Sequence, residues 1–196
     1  GLGDVYKRQG KARVFNSEAE LLNTLENQSE IFKNNDMIIV RYEGPSGAPG
    51  MPEMLDSTSR ITTLCREQEI VVGLMTDARF SGGSVGLVIG HVGPEAALGG
   101  PIAYIEDGDD IVVDLNSNEI NCPPLDDDST LSARKATWDK VVADNGGTHP
   151  AIGGADTRLL NRMRRSAVSA VFGAGMHPDR ELWVPAARAP EMTGFV

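Results

Sequence analysis

After Ser17 the apolar positions recur with a helical period: Ala19, Leu21, Leu22 and Leu25 form one stripe that runs to about Gln28. Ser17 and Glu20 frame its start as a capping box, the serine capping N-terminal N–H groups and the glutamate reaching back. The period then changes. Met37, Ile38, Ile39 and Val40 are a short unbroken apolar run, which predicts a strand covered on both faces. A loop crowded with glycine and proline follows over residues 43–52, then a helix over 54–66 and a second buried strand over 70–75. That strand also leads into a glycine-rich loop, residues 76–84. Strand, loop, helix, strand, loop is an α/β order, and in such folds sites lie beyond the carboxyl ends of parallel strands. Both rich loops are therefore expected on one edge of the sheet.

Beyond residues 94–97 the texture shifts to short strands at 102–105, 111–115 and 119–122, separated by Gly-Asp and Asn-Ser-Asn turns. This meander predicts a curled sheet or small barrel. Residues 123–128 read as a polar linker, followed by helices over 129–144 and 156–172. Residues 1–9 show no hydrophobic period and read as a non-native or adapter-like tail. One domain is expected over residues 10–181, with an extended tail over 182–196.

The 196 residues, 40% of them hydrophobic, suffice for one sizeable core. A formal net charge of -10 argues against a nucleic-acid surface, which needs a basic stripe to neutralise phosphates. No apolar run approaches the ~20 residues that cross a bilayer, and no secretory signal is evident at the start. Cys65 and Cys122 are too few for a disulfide framework and lack the spacing of a zinc or iron–sulfur site. They read as small buried residues or reduced thiols in a reducing, cytoplasm-like setting.

The candidate chemistry sits in the two rich loops. Glu53 follows Pro52 where a helix would begin, so it reads either as a first-turn acid satisfying the helix dipole or as an oxygen ligand for Mg²⁺. Ser81, followed by Gly82 and Gly83, reads either as a solvated turn serine or as a hydroxyl exposed beside N–H groups that hold an anion. A phosphate-binding loop is set aside because no Gly-Lys-Ser/Thr follows, and Ser81 does not stand in Gly-x-Ser-x-Gly. His91 reads as a hydrogen-bonded core or near-site residue, while His149 and His177 precede prolines and carry no assignment. Asp126, Asp127 and Asp128 read as a solvated run, and Arg162, Arg164 and Arg165 as the wet face of the last helix.

Several long motifs occur in one order: GKARVF over residues 10–15, VRYEGPSGAPGMPEM over 40–54, TDARFSGGS over 76–84, IGHV over 89–92, PEAA over 94–97 and GGPI over 99–102. Together they resemble the C-terminal domain of the dihydroxy-acid dehydratase and phosphogluconate/sugar-acid dehydratase family, over about residues 10–122. The resemblance implies a swivelling-type, β-barrel-like sheet with flanking helices. It also implies dehydration of a 2,3-dihydroxy acid to a 2-oxo acid, with Mg²⁺ and an iron–sulfur cluster as cofactors. By match of motif Glu53 corresponds to a magnesium ligand and Ser81 to the catalytic base, with Gly82 and Gly83 leaving room for substrate and offering it N–H groups. Most metal and cluster ligands in such proteins lie in an N-terminal domain, and Cys65 and Cys122 fall outside the ligand motifs. The chain is thus expected to be part of an enzyme, partnered by that domain and by further copies of itself, in the cytoplasm or, in a eukaryote, in an organelle stroma or matrix. The 78–83 and 90–92 motifs lie closer to the amino-acid branch. A sugar-acid dehydratase, or a non-catalytic binding module that kept the fold, are the alternatives.

Overall fold

A computed structural model describes residues 7–84, 86–152 and 158–177. Its centre is a six-stranded sheet in the order β4-β3-β2-β1-β5-β6, curled into a half-barrel and flanked by four helices among the described residues. The strands are β1 (Lys7–Phe15), β2 (Met37–Val40), β3 (Gly73–Thr76), β4 (Leu87–Ile89), β5 (Asp110–Asp114) and β6 (Glu119–Asn121). β1 to β4 are parallel, whereas β5 and β6 join antiparallel on the other side of β1. The α/β first half and the β-meander of the second half thus share one sheet.

β2 shows why its four apolar residues read as an unbroken run. Successive side chains point to opposite faces: Met37 and Ile39 enter one core, Ile38 and Val40 the other. All four are buried, and each such aliphatic contributes roughly 1.5–3 kcal/mol relative to exposure. On one face Leu21 of α1 (Glu18–Asn27) and Ile61 and Leu64 of α2 (Leu55–Gln68) pack with Phe32 and Leu74. On the other face Ile102, Ile105, Ile111 and Val113 are covered by Leu131 and Trp138 of α3 (Asp128–Asp144).

Ser17 caps α1 as expected, accepting from Glu20 N at 3.1 Å, while the Glu20 carboxylate accepts from Asn16 N at 2.7 Å. Asp127 caps α3 by accepting from Thr130 N at 2.8 Å, so one member of the acidic run terminates a helix. Hydroxyl and N–H donors from Ser129 and Thr130 hold its carboxyl down at about 2.

The expected strand at 102–105 is instead a 3-10 turn, Pro101–Tyr104, followed by an extended Ile105. Its apolar residues are buried without sheet pairing, because the Arg41 guanidinium takes the carbonyls of Ala103 and Ile105 at 2.7 and 2.9 Å. The second buried strand starts at Gly73 rather than residue 70: α2 runs on to Gln68 and stops at Glu69 in the left-handed region, and Ile70 N still bonds Cys65 O. The last helix, α4, is short, Arg158–Ser166; residues 156 and 157 lie outside the described residues. Beyond it Ala167 bridges Met176, which ends the helical path. β1 begins at Lys7, and Lys7, Arg8 and Gln9 pair with β5, so the boundary drawn at Gly10 falls inside a strand. Among the described residues no helix is long and apolar enough to cross a membrane.

Candidate active site

Because β1 to β4 are parallel, the segments leaving Phe15, Val40, Thr76 and Ile89 emerge on one edge. The glycine-proline loop (residues 41–54), the serine loop (77–84) and a third loop (90–100) therefore meet there. Asp77 joins all three. Fully buried, its carboxylate accepts from Tyr42 N at 3.1 Å, Glu43 N at 3.0 Å and Ala96 N at 3.0 Å. Burial pushes its carboxyl up to about 6 against the pull of those three N–H groups.

Glu53 and Arg79 lace the first two loops together. The residues form an isolated parallel bridge, Arg79 Nη1 donates to Glu53 Oε1 at 2.8 Å, and Arg79 Nε donates to Met51 O at 2.7 Å. Glu53 is not in the first turn of α2, which starts two residues later and carries Asp56 as its acid. The helix-dipole reading of Glu53 is therefore corrected: this carboxylate is a half-exposed rim group. Ser81 stands two residues beyond Arg79, partly exposed, its carbonyl accepting from Ser84 N at 3.2 Å in a turn that leaves Gly82 and Gly83 exposed. A Cβ on Gly82 would meet nothing within 4 Å, so there is open space beside the serine.

The third loop is tied down from below. Glu95, buried, accepts from Ser46 N at 2.8 Å across to the glycine-proline loop. A Cβ on Gly44 would come within 2.0 Å of the Glu95 carboxylate, so this position has room only for glycine. Of the two expectations for His91, the core reading is corrected: it is exposed, with φ of 58°, in the third loop, and its backbone N–H donates to Ala78 O at 2.7 Å. The histidine that matters here is His149. Its ring stacks on Tyr42 with centroids 4.4 Å apart, and Trp138 Nε1 donates to the Tyr42 hydroxyl at 3.1 Å. Tyr42 itself holds φ of 70°, a left-handed conformation that these contacts and Asp77 enforce. Arg164 of the last helix folds back to donate to Gly47 O at 3.2 Å rather than facing water. Sequence reasoning missed Asp77, Tyr42 and His149; the one local signal was Asp77's place directly after a buried strand.

Among the described residues no group of three His, Cys, Asp or Glu side chains is placed to hold a metal ion. The Glu53 carboxylate is the oxygen-donor type that hard divalent cations take, and Arg79 Nη1 occupies its Oε1. The thiols do not fit an iron–sulfur cluster. Cys65 is half-buried on α2, and Cys122 is buried, its thiol pushed up to about 12 by burial.

A parallel edge whose loops carry an exposed carboxylate paired with Arg79 and, two residues on, a serine-glycine turn is the candidate small-molecule site of this α/β domain. Residues 3–174 match the family model described as dihydroxy-acid/6-phosphogluconate dehydratase C-terminal, and the chain belongs to that family. It is 46% identical over 136 residues to a dihydroxy-acid dehydratase of Methanococcus aeolicus, covering 69% of this chain and 24% of that protein. It is 48% identical over 134 residues to dihydroxy-acid dehydratase 2 of Corynebacterium efficiens, covering 68% of this chain and 23% of the relative. With the mitochondrial dihydroxy-acid dehydratase of Saccharomyces cerevisiae it shares 46% over 131 residues, 66% of this chain and 22% of the relative. The chain spans about a quarter of the length of these curated relatives.

Proposed function

We propose that this chain is the C-terminal part of a hydro-lyase that dehydrates a 2,3-dihydroxy carboxylic acid to a 2-oxo acid, as a dihydroxy-acid dehydratase of branched-chain amino-acid synthesis. The observation that carries this reading is the lacing of the Glu53 and Ser81 loops on one sheet edge through the Glu53–Arg79 pair. Ser81 takes the C2 proton; Gly82 and Gly83 leave space for the substrate and offer it N–H groups. The C3 hydroxyl then departs as hydroxide and takes up the proton held by Ser81, giving water and restoring the base, and the enol tautomerises to the oxo acid. A neutral serine hydroxyl is too weak a base for this proton, so Ser81 acts as the alkoxide, a form that needs cations and N–H donors close by. When bound at Glu53, Mg²⁺ supplies Lewis-acid stabilisation of the charge that builds on the substrate carboxylate. An iron–sulfur cluster belongs with the N-terminal part of the parent protein, since the two thiols here do not fit one.

The parent is read as a homo-oligomer. A cytoplasmic setting, or an organelle in a eukaryote, agrees with two free thiols and with the mitochondrial yeast relative. The test is to supply the full-length parent with dihydroxyisovalerate and with arabinonate separately, anaerobically, with Mg²⁺ and a reconstituted cluster. Turnover of the branched-chain acid supports the reading. Preference for the sugar acid replaces it with an aldonate dehydratase, and turnover of neither leaves a binding module.

A further inference from the structure

The Asp77 carboxylate is fully buried at the end of β3, and among the described residues it forms no ion pair. A buried carboxylate is ordinarily either paired or neutral, because desolvation of the charge is costly. Here the compensation is three backbone N–H groups from two other loops: Tyr42 and Ala96 on one oxygen, Glu43 on the other. The same short segment carries the rest of the site. Thr76 O accepts from Val92 N at 3.1 Å, Arg79 O from Met54 N at 3.1 Å, and the Arg79 side chain holds Glu53. The Glu53 loop is thus held at its start by Asp77 and at its end by Arg79, with Glu95 and Arg164 holding its middle at Ser46 and Gly47.

We propose that Asp77 is the positioning residue of this site, holding the roots of the Glu53 loop and of the third loop against the start of the Ser81 loop, and so setting where Glu53 and Ser81 stand relative to each other. The inference rests on the reading of Glu53 and Ser81 given under Proposed function. An asparagine in its place keeps the shape but turns one acceptor into an NH₂ donor. That donor faces either Glu43 N or the Tyr42 and Ala96 pair, so at least one loop root is released. The charged and titratable groups around the carboxylate are Glu43, Arg41 and Tyr42 on the first loop, with Glu95 beside Ala96 on the third. Protonation of Asp77 likewise removes an acceptor and loosens the same bonds.

The experiment compares the full-length reconstituted parent as wild type, Asp77→Asn and Val113→Ala, the last a core truncation in β5 that serves as a stability control. Three readouts are taken: kcat and KM against pH at saturating Mg²⁺, thermal midpoint, and amide exchange at Tyr42, Glu43 and Ala96. The expected result is a kcat lower by ~10–100-fold in Asp77→Asn, the size of effect that about 1 Å of misplacement produces, with KM changed far less. The acid limb of the wild-type kcat profile near pH 6 moves or disappears in that variant, and exchange quickens at the three amides. Val113→Ala loses thermal stability but keeps kcat and the limb. The proposal is overturned if Asp77→Asn behaves as Val113→Ala does, or if the three amides stay as protected as in wild type. A wild-type parent inactive on every 2,3-dihydroxy acid overturns the reaction instead, and the exchange data still decide the anchoring.

Discussion

Arg79 spans two acceptors at once, the Glu53 carboxylate through Nη1 at 2.8 Å and the Met51 carbonyl through Nε at 2.7 Å. This fork, beside the backbone bond from Met54 N to Arg79 O at 3.1 Å, ties the Glu53 carboxylate of one loop to the segment that leads into the serine turn of the next. Both side chains are about 40% exposed, so the ion pair itself is worth under ~1 kcal/mol after solvent screening. Arg79→Ala is therefore expected to cost only about 1–2 kcal/mol in urea unfolding of the parent, counting the lost bond to Met51. It should nonetheless lower kcat at least ~10-fold by releasing the Glu53 loop. Arg79→Lys cannot span both acceptors and should resemble the alanine variant. Full activity in Arg79→Lys shows that charge alone suffices and that the fork is dispensable.

The stack of His149 on Tyr42 predicts a pH effect with a definite sign. Burial, aided by Arg41, holds the His149 imidazole below its usual 6.5. The folded state then binds fewer protons than the unfolded chain, so stability falls as pH drops from about 6.5 toward the depressed folded value and is constant below it. His149→Phe keeps an aromatic stack without the titration. The stability difference between wild type and His149→Phe should turn against wild type as pH falls from 7.5 to 5.5, measured by thermal melts. A difference independent of pH contradicts the assignment.

Asp77 gives the opposite slope. Its carboxyl is raised from 3.8 to about 6, so between those values the folded state holds the extra proton, and this contribution to stability is lost as pH rises through about 6. Activity should improve over the same window, because the ionised carboxylate holds all three N–H groups. Melting and kcat profiles that rise and fall together across pH 4–6.5 in an Asp77-dependent way contradict this.

Gly44→Ala places a methyl within 2.0 Å of the Glu95 carboxylate and 2.9 Å of its Cβ. Both sides are buried, so Glu95 must move and its bond from Ser46 N is broken. The expected cost is about 1–3 kcal/mol, the range for overpacking, read as a lower denaturation midpoint. An unchanged midpoint means Glu95 has somewhere else to go.

Much of the scaffold was legible because its causes are local. The apolar run of β2, the cap at Ser17 and the glycine-proline loop each announce themselves within a few residues. The run at 102–105 misled because its burial comes from tertiary packing and its carbonyls are claimed by Arg41, 62 residues away from Ala103. β1 was missed because its early positions alternate between exposed and half-buried, with Lys7, Gln9 and Lys11 giving no apolar period. The site was half legible: Ser81 and Glu53 stood out in glycine-rich loops, whereas Asp77 depends on N–H groups 35 and 19 residues distant. No spacing rule reports such contacts, and the same holds for His149, whose partners lie in other elements.

The most direct test of the whole account is the rate of 2-oxo acid formation by the full-length parent, wild type against Ser81→Ala, anaerobically with Mg²⁺ and an intact cluster. The account predicts a loss of at least ~100-fold, within the 10²–10⁴ that a general base contributes, with cluster content and thermal midpoint unchanged. An alanine variant that keeps its activity would make Ser81 a turn residue only and contradict the mechanism.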